Sequence, residues 1–194
     1  KEHLAARGIT GEVTREDDYI QNLENPEVRL FYTELQRKYF KEMHGFLRSI
    51  GVRIPISGSN LGLENCDLET NAELDFVDRH AYWDHPQGGY GELVKFNNSL
   101  LVNEIEPIHV LTQPKRMNPL LKLARLRVKN KPFVVGEWNV NWPNEYRAVG
   151  PLLMAAFTSY QDWDAIIQFN YEGHLAPDSI QGNFDVSSKP EIFL

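Results

Sequence analysis

Four short apolar runs recur along the chain, and each of them ends in polar or aromatic residues. The clearest is KPFVVGEWN at 131–139, where Val134 and Val135 lead directly to a glycine, a glutamate and a tryptophan. The other runs occupy 52–57, 73–83 and 163–173. Runs of this length that are continuous rather than alternating are typical of strands buried on both faces of a parallel sheet.

The segments between these runs favour helices. Residues 27–50 carry apolar side chains at spacings of three and four, which predicts one long helix over 27–50, with Pro26 at a favoured helix start and Gly51 as the residue that ends it. Its predicted buried stripe is Val28, Phe31, Leu35, Tyr39, Met43, Phe46 and Ile50. Two further helices are predicted at 116–128 and 144–160. Strands that alternate with helices indicate an α/β fold with a parallel sheet.

The length of 194 residues favours one domain that spans 1–194. Residues 84–115 fit neither pattern and are predicted to be a long insertion after the second strand. Insertions of this length are often functional. We therefore expect the insertion to shape a ligand site, and its ELVKF segment to form a small extra strand.

Composition excludes several classes of partner and chemistry. The net charge of −7 argues against a nucleic-acid partner or an anionic membrane surface, and no run approaches the length of a membrane span. The single cysteine, Cys66, rules out an internal disulfide framework and is more typical of a packing residue than of a nucleophile. The sequence has no glycine-rich phosphate loop and no G-x-S-x-G elbow, and we expect no cofactor.

The polar residues at the strand ends are the candidate site. Ligands bind at the C-terminal edge of parallel sheets, so residues that follow the apolar runs are expected to lie together. Glu137 follows a buried strand directly, and carboxylates at such positions can act as nucleophiles or bases. Exposed indole rings beside it could stack on the C–H faces of sugars.

Four segments together resemble one family. VRIPISGSN, DFVDRHAYWDHP, PFVVGEWN and AIIQFNY are similar to strands five to eight of the clan A (β/α)8-barrel glycoside hydrolases, which include cellulase-like and β-galactosidase-like retaining enzymes. The resemblance covers about 27–175. It implies a TIM-barrel type of fold of which only the C-terminal half lies in this chain, since a full barrel takes about 250 residues.

The resemblance also implies roles for individual residues. Glu137 matches the catalytic nucleophile at the end of strand seven, and the substrate would be a β-linked oligosaccharide or polysaccharide cleaved with retention of configuration. The implied substrate-binding residues are His80, Tyr82, Trp83, Trp138, Asn139, Asn170 and Tyr171. An extracellular location would suit such an enzyme, although the sequence leaves the location open.

One departure from the family pattern concerns the second carboxyl group. Retaining hydrolysis needs an acid/base about 5 Å from the nucleophile. In the family this residue follows strand four, so it is expected upstream of this chain, on the missing N-terminal half of the barrel. We therefore expect this chain alone to be an incomplete and inactive glycosidase.

Two alternatives remain open at this point. The chain could be a non-catalytic carbohydrate-binding or scaffold module derived from such a barrel. It could instead be a metal-dependent hydrolase that uses His80, Asp84 and His85, although their spacing gives no regular ligand geometry and no metal site is predicted.

Overall fold

The computed structural model of the chain describes residues 26–60, 65–83, 119–140, 144, 147–171, 184 and 186. The predicted insertion at 84–115 lies outside the described residues. The chain divides into two compact units, Lys1–Phe76 and Val77–Leu194. The prediction of a single domain stays a prediction.

The first unit contains two described helices, α1 (Pro26–Ser49) and α2 (Asn65–Ala72). Helix α1 agrees with the predicted helix within one residue at each end. It ends in a Schellman motif, in which Gly51 has φ +94° and Val52 N–H donates to the Leu47 carbonyl at 3.1 Å. The glycine at this position permits the left-handed conformation that ends the helix.

The predicted buried stripe of α1 is wrong for five of its seven residues. Leu35, Tyr39, Met43, Phe46 and Ile50 are 38% to 61% exposed. The helix packs on α2 through its polar face instead, where Gln36 donates to Asp67 and Arg37 binds Glu69 and Glu73. Periodicity shows that these apolar residues share a face, but it does not show that another element covers that face.

The predicted strand at 52–57 is also wrong, because no strand forms there. Pro55 has no N–H to give to a ladder. Side chains hold this segment: Arg48 donates to the carbonyls of Val52 and Ile54 at 2.9 Å, and Asp75 accepts the Ile56 N–H at 2.7 Å. The segment therefore lies in place without strand pairing.

The second unit is a parallel three-stranded sheet with helices, which is an α/β arrangement. Its strands are β1 (Val77–Trp83), β2 (Phe133–Val140) and β3 (Ala165–Gln168), in the order β1-β2-β3. The helices are α3 (Pro119–Ala124) and α4 (Gly150–Gln161), with a 3₁₀ turn at Arg147–Val149. The three remaining strand predictions are confirmed with shorter bounds.

The core of this unit lies against one face of β1 and β2. Val77, Phe133, Val135 and Met154 are fully buried, and the Trp163 ring packs 5.4 Å from that of Phe133. This packing fixes β1 and β2, the two strands that carry the candidate site. Glu137 lies inside β2, three residues before its end, and does not follow the strand as predicted. No helix in the described parts of the chain combines the length and the apolar character needed to cross a membrane.

Candidate functional site

Strand β1 presents one polar face and one apolar face. Burial alternates strictly along it, so Asp78, His80 and Tyr82 lie half-buried on one face. Their neighbours on the opposite face are buried: Val77, Arg79, Ala81 and Trp83. Successive strand residues point to opposite sides, so the three polar residues form a row at intervals of two.

The alternation of side chains between the two faces of β2 shifts by one residue at Gly136. Val135 pairs with Arg79, but His80 pairs with Glu137, so Gly136 is an extra residue in a β-bulge. The Gly136 N–H donates to Asp78 Oδ1 at 2.8 Å. A Cβ atom on Gly136 would lie 2.5 Å from that same oxygen, so this close approach requires glycine. The bulge places Glu137 on the polar face, opposite His80.

The Glu137 carboxylate is held through one of its oxygens. Tyr82 O–H donates to Oε2, and His80 Nδ1 lies 3.2 Å from the same atom. The other oxygen, Oε1, forms no hydrogen bond to any residue that the structure describes. The side chain is 35% exposed. Glu137 is therefore oriented by its neighbours while one oxygen is available to react.

The Tyr82 hydroxyl group is suited to donate a hydrogen bond to Glu137 over a wide pH range. Burial, followed by the hydrogen bond to Glu137 and the charge of that carboxylate, raises the pKa of the Tyr82 phenol well above its ordinary value. Its ring packs 4.8 Å from Phe184 and 6.4 Å from Phe169. The hydroxyl group therefore keeps its proton across the range in which most enzymes work.

Asp78 is a residue that the sequence reasoning missed. Besides the bulge amide, its carboxylate lies 3.5 Å from His80 Nε2. The sequence could have identified Asp78, because it precedes His80 by two positions and a strand places residues two apart on one face. The structure therefore brings together four side chains: Asp78, His80, Tyr82 and Glu137.

The two predicted tryptophan platforms lie elsewhere. Trp83 and Trp138 are each 3% exposed, and both belong to the apolar face of the sheet, opposite Glu137. The prediction that they stack on a sugar is wrong, because the faces of a buried indole ring are not accessible to a ligand. The strand alternation and the bulge at Gly136 together determine this outcome.

Asn139 has a structural role in place of the predicted substrate contact. Its amide donates to the carbonyls of Phe169 and of Phe184, and its Oδ1 accepts the Val140 N–H at 2.7 Å. The residue is almost completely buried. Its hydrogen-bonding groups are therefore occupied by the backbone around the end of β3.

Asn170 and Tyr171 follow β3 and form no hydrogen bond with Glu137. The backbone of Asn170 bonds to Phe184 and Val186, and the Tyr171 side chain is exposed. Glu137 has no hydrogen bond to either of these two described residues. Their predicted role in substrate binding stays a prediction.

Two other kinds of site concern the residues that the structure describes: a metal cluster, which they do not form, and a cleft in the first unit. Within those ranges no three His, Cys, Asp or Glu residues are grouped to hold a metal ion, and Asp84 and His85 lie outside them. A cleft of about 450 Å³ in the first unit is lined by residues of α1 and its neighbours, including Arg37, His44 and Glu73. It contains none of the predicted site residues.

Comparison of the chain with protein-family models, with curated proteins and with solved structures found no match.

Proposed function

We propose that this chain carries the nucleophile half of a retaining β-glycosidase, with Glu137 as the nucleophile. One observation carries the proposal: a partly exposed carboxylate lies in the C-terminal half of a parallel strand, three residues before its end, and is held through a single oxygen by Tyr82 and His80. The four-segment resemblance to clan A glycoside hydrolases supports the same assignment. The substrate would be a β-linked oligosaccharide or polysaccharide.

The proposed chemistry uses the two oxygens of Glu137 differently. Tyr82 and His80 fix Oε2, so Oε1 attacks the anomeric carbon while the bond from that carbon to the leaving oxygen breaks. A second carboxyl group protonates the leaving oxygen. It then takes a proton from the water that hydrolyses the glycosyl ester on Glu137.

The barrel itself belongs to the proposal. Three consecutive parallel strands in sequence order, joined through helical segments, suit strands six to eight of a (β/α)8 barrel. The acid/base and the N-terminal half of the barrel are then supplied by residues upstream of those described. The sugar would approach from the polar face of β1 and β2. Tyr171, which is exposed and follows β3, keeps its predicted role in substrate binding.

A substrate with a good leaving group tests the nucleophile without the acid/base. 2,4-Dinitrophenyl 2-deoxy-2-fluoro-β-glycosides release a stable phenolate that needs no protonation, and the fluorine slows hydrolysis of the glycosyl ester. We expect a burst of dinitrophenolate, approaching one per chain, with at least one of the gluco, galacto, manno and xylo probes.

The matched control is Glu137→Gln, which keeps the side-chain shape and removes the attacking charge. We expect it to give no burst. Sugar binding by the wild-type chain without any burst would contradict the proposal and favour the carbohydrate-binding module. A burst that persists in Glu137→Gln would show that another residue is the nucleophile.

A further inference from the structure

Glu137 lies on the same face as the polar residues of β1 only because the register of β2 shifts by one residue. In a regular strand, one step of two residues forward from the buried Val135 would place Glu137 on the buried face. The bulge at Gly136 reverses this, since the residues that pair with His80 and Tyr82 become Glu137 and Asn139. Whatever stabilises the bulge therefore decides which face Glu137 occupies.

Asp78 is the group that contacts the bulge. Its Oδ1 accepts the Gly136 N–H at 2.8 Å, which satisfies an amide that the bulge removes from regular pairing. Its Oδ2 lies 3.5 Å from His80 Nε2, while the other nitrogen of that imidazole faces Glu137 at 3.2 Å. One carboxylate thus contacts both the backbone before Glu137 and the side chain beside it.

We propose that Asp78 is a positioning residue that fixes the Gly136 bulge and thereby holds Glu137 against Tyr82 and His80. The consequence for catalysis rests on the proposed function, whereas the positioning itself does not. Asp78 forms no hydrogen bond with Glu137 in this arrangement. It would act through Gly136 and His80 only.

The Tyr82 phenol reports the position of Glu137 without any substrate. Tyrosine labelled with ¹³C at Cζ, with the Tyr82 signal assigned from Tyr82→Phe, can be titrated by NMR. In Asp78→Ala the bulge amide loses its acceptor, so we expect Glu137 to leave Tyr82 and the phenol to titrate about one pH unit lower or more. Asp78→Asn keeps a carbonyl acceptor for the amide and should titrate close to the wild type.

Glu137→Gln supplies the reference, because it removes the carboxylate charge without touching Asp78. A Tyr82 titration in Asp78→Ala that matches the wild type would overturn the proposal. If the wild type gives no dinitrophenolate burst but Asp78→Ala still shifts the titration, the proposed function fails and the positioning stands.

A double-mutant cycle of unfolding stability, with Asp78→Ala and Gly136→Ala, tests the proposal if Asp78→Ala folds poorly. Gly136→Ala places a Cβ 2.5 Å from Asp78 Oδ1, so we expect a lower urea midpoint for that variant. Removing the carboxylate removes this clash, so the double variant should lose less than the sum of the two single losses. Strictly additive losses would show that Asp78 and Gly136 are not coupled and would overturn the proposal.

Discussion

At the scale of single residues, the Tyr82 hydroxyl group is the contact that matters most for Glu137. Burial and the adjacent carboxylate raise the pKa of this phenol, so it remains a donor. Because the raised pKa keeps the phenol protonated at neutral pH, the hydroxyl group orients the carboxylate over a wide pH range. Hydrogen bonds to charged groups contribute about 1.5–3 kcal/mol, which makes this bond testable by a single substitution.

Tyr82→Phe removes that hydroxyl group and leaves the ring against Phe184. We expect the dinitrophenolate burst to slow by roughly 10- to 100-fold, because the lost stabilisation is of that order. Tyr160→Phe is the matched control, since Tyr160 lies exposed on α4. Stopped-flow absorbance measures both. Equal burst rates in the two variants would show that Tyr82 does not support Glu137.

Trp138 offers a second test at this scale, because its burial assigns it to packing. Trp138→Ala should lower the free energy of unfolding by about 3–5 kcal/mol, as large-to-small changes in a core do. Its indole N–H has no hydrogen-bond partner among the described residues, so Trp138→Phe should cost much less. Urea denaturation distinguishes the two. A stable Trp138→Ala that lost only sugar binding would restore the rejected stacking role.

At the scale of elements, the strands could be predicted from sequence but the face of each side chain could not. Apolar runs identified β1, β2 and β3, but the predicted burial on both faces is wrong for two of them. Burial alternates along β1, and the residues of β3 are half-buried or exposed. The phase of β2 depends on a bulge at Gly136 that no periodicity reveals, so Trp138 was assigned to the wrong face. Glu137 was chosen from its position after the run, and the bulge is the physical reason that it lies on the polar face.

The segment at 52–57 shows the opposite error, in which an apolar run was mistaken for a strand. Arg48 and Asp75 hold this segment by side-chain contacts to its backbone. The Ile56 N–H, with Arg48 and His44 nearby, holds the pKa of the Asp75 carboxyl below its usual range. Such a group stabilises the fold above its unfolded-state pKa, and the contribution is lost as pH falls through the folded-state pKa.

Asp75→Asn tests this contribution by its pH dependence. We expect the variant to be less stable than the wild type by about 1 kcal/mol at pH 7, a value discounted because the carboxylate is 34% exposed. The difference should shrink as pH falls below about 4. Asp162→Asn is the control, since that side chain is exposed and asparagine tolerates its φ of 55°. A difference that does not change with pH would contradict the assignment.

At the scale of the whole molecule, apolar residues differ widely in how far they are buried. Leu74 is 7% exposed in the first unit, whereas Leu35, in the same unit, is 53% exposed. The periodicity of α1 therefore correctly predicted a helix, but the burial inferred from that periodicity was wrong. Sequence alone predicts which residues share a face, while burial also requires a second surface that the periodicity does not encode.

A matched pair of leucine substitutions tests this difference in burial. Leu74→Ala should lower the free energy of unfolding by about 2–5 kcal/mol, because it leaves a cavity. Leu35→Ala should change it by less than about 0.5 kcal/mol, since the side chain is exposed and alanine favours helices. Equal losses, measured by urea denaturation, would show that the α1 stripe is covered in solution.

The central claim is that Glu137 is the residue that attacks a sugar, and mapping a covalent label tests it most directly. The chain would be treated with the 2-fluoro probe that gives the largest burst, digested, and analysed by tandem mass spectrometry. We predict one fluoroglycosyl group, attached to Glu137, in the peptide that contains 131–140. A label on a different residue, or an unlabelled chain after a complete probe series, would contradict the assignment of Glu137 as nucleophile.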